Sequence, residues 1–321
     1  MSSHYLRFSH HPALDRQRSP LLERLLARAD GSGTVTDWRA DAFRAIAPPH
    51  TPMPGVAAAA LYAARGSVDA ASVFLATPVH YLAEMSDVRL PADGILSLRH
   101  DEGEALAADF NRVWNGAAIR LLTGRDADLY CVFEQPIAAD TADPQDVLGR
   151  HIAEHLPRGA AAPRLRRLMS EIEMWLFEHE VNRARIARAV PALTGLWMWG
   201  GGATLTSLPT VTGWTAGDDP FFKVFAVRPP IARGAASRLE VAAGPDVAEP
   251  AASGVAVIAA EPGTEQWREP ETRWLAGSLA QLRAGRIERL DLSAGERCFS
   301  VRAGWKWRVW RRQRPWWEWF A

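Results

Sequence analysis

Residues 171–202, EIEMWLFEHEVNRARIARAVPALTGLWMWGGG, constrain the fold more than any other stretch of the chain. Leu165, Leu168, Ile172, Trp175, Leu176 and His179 recur at spacings of three and four, the period that lays side chains along one face of a helix. Pro191 removes a backbone donor and clashes with the preceding turn, so the helix is predicted to stop near Val190. Leu196, Trp197, Met198 and Trp199 then form a short apolar run with glycine on either side, the pattern of a buried strand. A long amphipathic helix feeding a buried strand belongs to an α/β protein.

His179 closes the apolar stripe, and Asn182 and Arg183 continue its face one turn later, while Arg185 points elsewhere. A seam that turns polar at its end presents hydrogen-bonding groups, either to a ligand or to neighbouring carbonyls and a strand end. Gly200, Gly201 and Gly202 follow the strand without the GxGxxG spacing or the downstream acidic residue of a dinucleotide site. They are predicted to make a tight turn or to admit a close backbone approach. His179, Asn182, Arg183, Arg185 and the three glycines are therefore the candidate ligand pocket.

The pattern His179, Asn182, Arg185, then Leu196 to Gly202, resembles the H-x-x-N-x-x-R … W-x-W-G-x-G signature of the RpfE-type bacterial regulatory proteins. These are similar to part of the archaeal-type, cofactor-independent phosphoglycerate mutases. The resemblance covers roughly residues 90–225, including Glu104 with Ala105, the strand pair around Gly124 and Val132, and the segment from Asp140 to Pro144. In those mutases the region resembles the substrate-side insert of an alkaline-phosphatase-like enzyme. Their metal-dependent core uses a Ser nucleophile with Asp and His ligands in short motifs, and no SDTSH-like segment precedes residue 100 here, nor does a DxxGH cluster follow residue 225. The resemblance thus implies a non-catalytic regulatory or ligand-sensing protein without cofactor, metal or catalytic residues, whose ligand is an anionic or phosphorylated small molecule. The alternative is an active phosphoryl-transfer enzyme whose metal site is dispersed in the sequence.

Elsewhere the reading is architectural. Residues 5–8 suggest a short strand, Ser19 and Pro20 a cap and first turn for a helix, and residues 37–46 and 56–64 two further helices, giving a helical N-terminal portion. Residues 71–76 and 95–98 read as strands, and residues 118–122 and 128–133 as a hairpin. Asp101, Glu102 and Glu104 sit where carboxylates favour a helix N-terminus. A helix begins at Pro144 and is predicted to reach His155, putting His151 and His155 on one face in an H-x-x-E-H order too short to specify zinc. His4, His10 and His11 lack a second ligand cluster. Pro, Ala and Gly crowd residues 227–253, so the chain divides into a helical portion over 1–70, an α/β region over 71–227 and a C-terminal α+β portion over 254–321. The expected whole is a central mixed sheet flanked by helices, ending in an antiparallel meander.

The last seventeen residues hold six of the 14 tryptophans. Trp305, Trp307, Arg308, Arg311 and Arg312 are candidates for a surface that binds single-stranded nucleic acid, an anionic membrane or a protein partner, or for a purely structural ladder in which guanidinium planes stack on indole. RpfE-like chains resemble this one here too, with a basic WRR ending. Lys+Arg and Asp+Glu number 37 each, which removes any global electrostatic case for nucleic acid. No apolar run approaches a membrane span, no leader is recognisable, and two cysteines make no framework, so a cytoplasmic location is expected.

Overall fold

The computed structural model describes residues 2–9, 17–85, 87–226, 253–302 and 311–320. The chain forms a mixed α/β structure of two compact units: a discontinuous unit of residues 1–53 and 209–321, and an inserted unit of residues 54–208. The boundary read at residue 70 falls instead between 53 and 54, because the N-terminal segment is not a free-standing helical piece.

The chain opens with β1 (Ser3–Phe8), α1 (Pro20–Ala27), β2 (Gly31–Thr34) and α2 (Trp38–Ile46). The inserted unit follows with α3 (Val56–Arg65), β3 (Ser72–Val79), β4 (Leu82–Ala83), β5 (Val88–Leu90), α4 (His100–Val113), β6 (Ile119–Thr123), β7 (Leu129–Phe133), α5 (Pro144–Val147) and β8 (Arg150–His151). It closes with α6 (Ala162–Phe177), α7 (Glu180–Ala187) and β9 (Gly195–Ala203). The chain then returns to the discontinuous unit with β10 (Trp214–Gly217), β11 (Gly254–Ile258), α8 (Arg268–Pro270), a π-helical stretch (Glu271–Ala276), α9 (Gly277–Arg283), β12 (Arg289–Ala294), β13 (Arg297–Arg302) and α10 (Trp317–Phe320).

The discontinuous unit is organised by a six-stranded mixed sheet in the order β10-β11-β1-β12-β13-β2. β10, β11, β1 and β12 run parallel, and β13 and β2 are antiparallel additions. Alternation on these strands sends Leu6, Phe8, Leu290, Leu292, Phe299 and Val301 into one core with α1, Trp267, Trp316 and Phe320, as a period of two requires. The opposite face carries Tyr5, Arg7, Asp291 and Ser293, all buried. His4 on β1 meets the Ser278 hydroxyl through Nδ1 at 2.8 Å; His10 and His11 lie outside the described residues. Asp37 caps α2 by accepting from the Ala40 N–H at 3.0 Å. Ser19 does not cap α1; its hydroxyl donates to Glu271 at 2.7 Å.

In the inserted unit a four-stranded antiparallel sheet has the order β6-β7-β3-β9, and β4, β5 and β8 form a small separate sheet. The hairpin of β6 and β7 lies where the sequence placed it. The strand expected at residues 95–98 is reduced to a single bridge, Val79 to Ile95, after the turn at Gly94. The helix expected to reach His155 stops at Val147. Gly149 takes a left-handed φ of 76° and gives its N–H to the Leu90 carbonyl, turning the chain into β8. His151 therefore lies on a strand and His155 in a 3₁₀ turn (Ala153–His155), so they no longer share a helix face.

Candidate functional site

The helix predicted to run through to Val190 breaks at His179. α6 ends at Phe177, and His179 adopts extended backbone (φ −67°, ψ 142°) as the N-cap of α7. Its Nδ1 accepts the Val181 N–H at 3.1 Å. A neutral imidazole accepting at one nitrogen carries its proton on the other, so Nε2–H faces Asp109 Oδ2, 3.4 Å away. The Trp175 Nε1–H donates to the same oxygen at 3.0 Å, and its ring stands edge-on to the imidazole. Burial lowers the His179 pKa more than Asp109 and Glu180 raise it, which keeps the ring neutral at pH 7. Burial pushes the Asp109 carboxyl up, but the Trp175 indole and Arg112 hold it below the ordinary aspartate range.

Beside these groups lies an open cleft of about 800 Å³ between α4, α6 and the start of α7, within the range of small-ligand sites. Ala105, Ala108 and Arg112 form one wall and Met174, Glu178 and Glu180 the other, with Asp109, Trp175 and His179 between them. Three carboxylates against one arginine favour a cation over an anion there.

Asn182 and Arg185 face the opposite way. Asn182 is 3% exposed; its Nδ2 donates to the carbonyls of Leu176 at 2.7 Å and Leu193 at 2.8 Å, and its Oδ1 accepts the Leu193 N–H at 2.7 Å. One amide thus ties the end of α6, through α7, to the chain entering β9. Arg185, also 3% exposed, donates to the Pro191 carbonyl at 2.8 Å, the Ser97 carbonyl at 3.3 Å and Glu102 Oε2 at 2.8 Å. Glu102 additionally pairs with Arg188 and accepts the Arg99 N–H at 3.0 Å. Burial pushes its carboxyl up, and these donors hold it below the ordinary glutamate range. Arg183 is exposed and donates to the Glu178 carbonyl at 2.8 Å. The two arginines turn to different partners rather than to a shared anion.

The glycines serve a third purpose. They are not a turn but the second half of β9, where the register against β3 slips: Val73 pairs with Gly202 and Leu75 with Trp199. That is one extra residue on β9, a bulge, with Gly200 at φ +64°. A Cβ on Gly201 would sit 2.2 Å from the Phe74 ring, and Gly202 lies against Gly55. Close packing requires these glycines.

Sequence reasoning assigned Glu102 to the helix dipole alone. Its phase was the available signal, since it stands four and eight residues before Leu106 and Phe110, the buried face of α4. His80, past the end of β3, meets the Ala192 carbonyl through Nδ1 at 2.8 Å. Trp305, Trp307 and Arg308 lie outside the described residues. Arg311 is exposed and donates to the Ala29 carbonyl at 2.7 Å, and Arg312 is exposed. Trp316 is fully buried, its Nε1–H donating to the Gln17 carbonyl at 2.9 Å, so part of the tryptophan-rich end is core. Among the described residues no three His, Cys, Asp or Glu side chains group to hold a metal, and no helix is long and apolar enough to cross a membrane.

No family model matches the chain. It is 27% identical over 147 residues to a 2,3-bisphosphoglycerate-independent phosphoglycerate mutase from Methanothrix thermoacetophila, covering 44% of this chain and 37% of that protein. The chain is a distant, partial homologue of the cofactor-independent phosphoglycerate mutases. A probable mutase of the same description from Geobacter sulfurreducens is 37% identical over 59 residues, 18% of this chain and 15% of that one. The chain thus spans less than two fifths of the length of either mutase. Among solved structures, a cofactor-independent phosphoglycerate mutase from Thermoplasma acidophilum aligns over 94% of this chain and 90% of its own at 12% identity and a TM-score of 0.36. A protein from Pyrococcus horikoshii aligns over 94% and 88% at 11% identity and a TM-score of 0.41.

Proposed function

We propose that this homologue of phosphoglycerate mutases is a cytoplasmic, non-catalytic regulatory protein of the RpfE type, which responds to a ligand or partner and does not turn over phosphoglycerate. One observation carries the reading: the residues of the shared signature are spent on architecture. His179 caps α7, Asn182 clamps the entry to β9, Arg185 joins α7 to α4 through Glu102, and Gly200 to Gly202 let β9 close on Phe74. A scaffold kept in this way can outlast the chemistry it once supported. The cleft that His179 lines and the exposed Arg183 are where a ligand would be sensed, and binding there would act on the order of α7 through the His179 cap.

A second reading, an active metal-dependent phosphoryl-transfer enzyme, is favoured by the names of the curated relatives. Elemental analysis of the purified chain, with a phosphoglycerate mutase assay in added manganese, separates the two. The regulatory reading expects no stoichiometric metal and no turnover above buffer. Stoichiometric bound metal, or turnover that titrates with the chain, overturns it.

A further inference from the structure

Among the described residues, Glu178 and Glu180 at the cleft and Arg311, Arg312 and Arg314 near the C-terminus stand in no ion pair, and the two sets lie on different units. In the cleft the Arg112 guanidinium is taken up by Asp109. Glu178 and Glu180 are exposed, with no cation beside either carboxylate among the described residues. The surrounding surface is apolar beyond what charge alone would leave: Met174 is 70% exposed and Phe177, one helical step before Glu178, is 84% exposed. An aromatic and thioether wall with carboxylates at its lip fits a guanidinium on an apolar stem, which stacks its plane on a ring and gives its N–H groups to oxygen.

Residues 311–314, Arg-Arg-Gln-Arg, are all exposed and stand on the discontinuous unit, where Arg314 lies 5.8 Å from the Trp319 ring. The chain is neutral overall, 37 cations against 37 anions, so this separation of sign is local and each copy presents both halves of a complementary pair. We propose that the cleft lined by Trp175, Met174, Glu178 and Glu180 receives the 311–314 stretch of a second copy. Each copy contributes one cleft and one basic stretch, so a single contact of this kind joins two copies. The contact buries arginine stems against Met174 and Trp175 and pairs Arg311 and Arg312 with Glu178 and Glu180. It depends on ionic strength, since pairs at this rim are screened within about 10 Å at 0.1 M salt. Docking stands apart from the regulatory reading above, because it needs neither a small ligand nor the loss of catalysis.

Sedimentation equilibrium of the full chain, from low micromolar concentration upward and at low and high salt, tests this directly. A reversible dimer that weakens as salt rises is expected. Glu178→Lys with Glu180→Lys, and separately Arg311→Glu with Arg312→Glu, should each raise the dissociation constant by at least about tenfold. All four substitutions in one chain restore the complementarity and should recover self-association. Circular dichroism and melting of each variant establish that it is folded, and Glu178→Gln with Glu180→Gln is the milder variant should the lysines unfold the joint. A parent chain that stays monomeric throughout overturns the proposal, as does a dimer indifferent to both charge reversals or one that the four-fold swap fails to recover.

Discussion

Both units bury an arginine against a carboxylate, and they support it differently. In the discontinuous unit Arg39 reaches Asp219 Oδ2 through Nε at 3.0 Å and an Nη at 2.7 Å, while the other carboxylate oxygen accepts the Phe221 and Phe222 N–H groups. The guanidinium also lies 4.5 Å from the Trp38 ring, which Arg7 approaches at 5.0 Å. There the main chain supplies half of the carboxylate's donors. In the inserted unit the main chain supports the arginine instead: Arg185 gives N–H groups to two carbonyls and one to Glu102, which keeps Arg188 as a second cation. A buried charge costs several kcal/mol unless paired and hydrogen-bonded, so what survives a substitution depends on which partner the main chain supports. One pair holds a helix to a loop after a strand, and the other closes the joint between α6, α7 and α4.

The largest effect expected from this contrast is at Asn182. Asn182→Ala orphans the Leu193 carbonyl and N–H in a buried joint and leaves the Leu176 carbonyl with the His179 N–H alone; at roughly 1 to 3 kcal/mol for each unsatisfied group the inserted unit should lose about 2 to 6 kcal/mol in urea denaturation. A loss below about 1 kcal/mol would mean that the joint reforms without its amide. Arg39→Met should cost less, about 2 kcal/mol, because Asp219 retains two backbone donors; a cost equal to that at Asn182 would erase the distinction between the units. Gly201→Ala should cost about 1 to 3 kcal/mol from overpacking against Phe74. Phe74→Leu in the same chain should recover part of that loss, whereas Gly33→Ala, with open space around it, should be close to neutral.

The smallest expected effect is a pH dependence at His179. Its folded pKa lies below the ordinary value of 6.5, so the unfolded chain binds the proton more readily. The stabilisation is complete above about pH 6.5 and is lost as pH falls from there through the folded pKa. Protonation at Nδ1 also removes the acceptor for Val181 N–H, so amide exchange at Val181 should quicken over the same interval. His179→Asn keeps a cap without titrating and should flatten the profile; an unchanged profile would place the titration elsewhere.

Local patterns were legible and long-range pairings were not. α1 to α4 and the hairpin of β6 and β7 follow from periodicity and turn residues within a dozen positions. β1 was visible only as a short apolar run, because its neighbours are Val255 and Asp291, far along the chain, and no local pattern reveals the centre of a sheet. The Leu165 to His179 stripe ran correctly to its end, yet periodicity could not see that His179 would cap a new helix. That break rotated Asn182 and Arg185 inward and left Arg183 outside. The signature residues, Trp175 in the stripe and Glu102 at a helix start were all visible in the sequence, whereas Asp109 was not, and the pairings of Trp175 with Asp109 and of Glu102 with Arg185 join different helices and left no local trace. The three glycines were read as a tight turn or a close backbone approach; they form a bulge, which draws on the same backbone freedom as a turn, and Gly201 and Gly202 do approach the Gly55 backbone closely.

The most direct measurement is a double-mutant cycle between Glu102 and Arg185, using Glu102→Gln, Arg185→Met and the pair, followed by urea denaturation. If the signature arginine serves architecture, the two should couple by about 1 to 3 kcal/mol, with each single variant markedly less stable than the parent. Coupling near zero, with Arg185→Met as stable as the parent, would mean that Arg185 is free for a ligand and would contradict the structural role assigned to the motif.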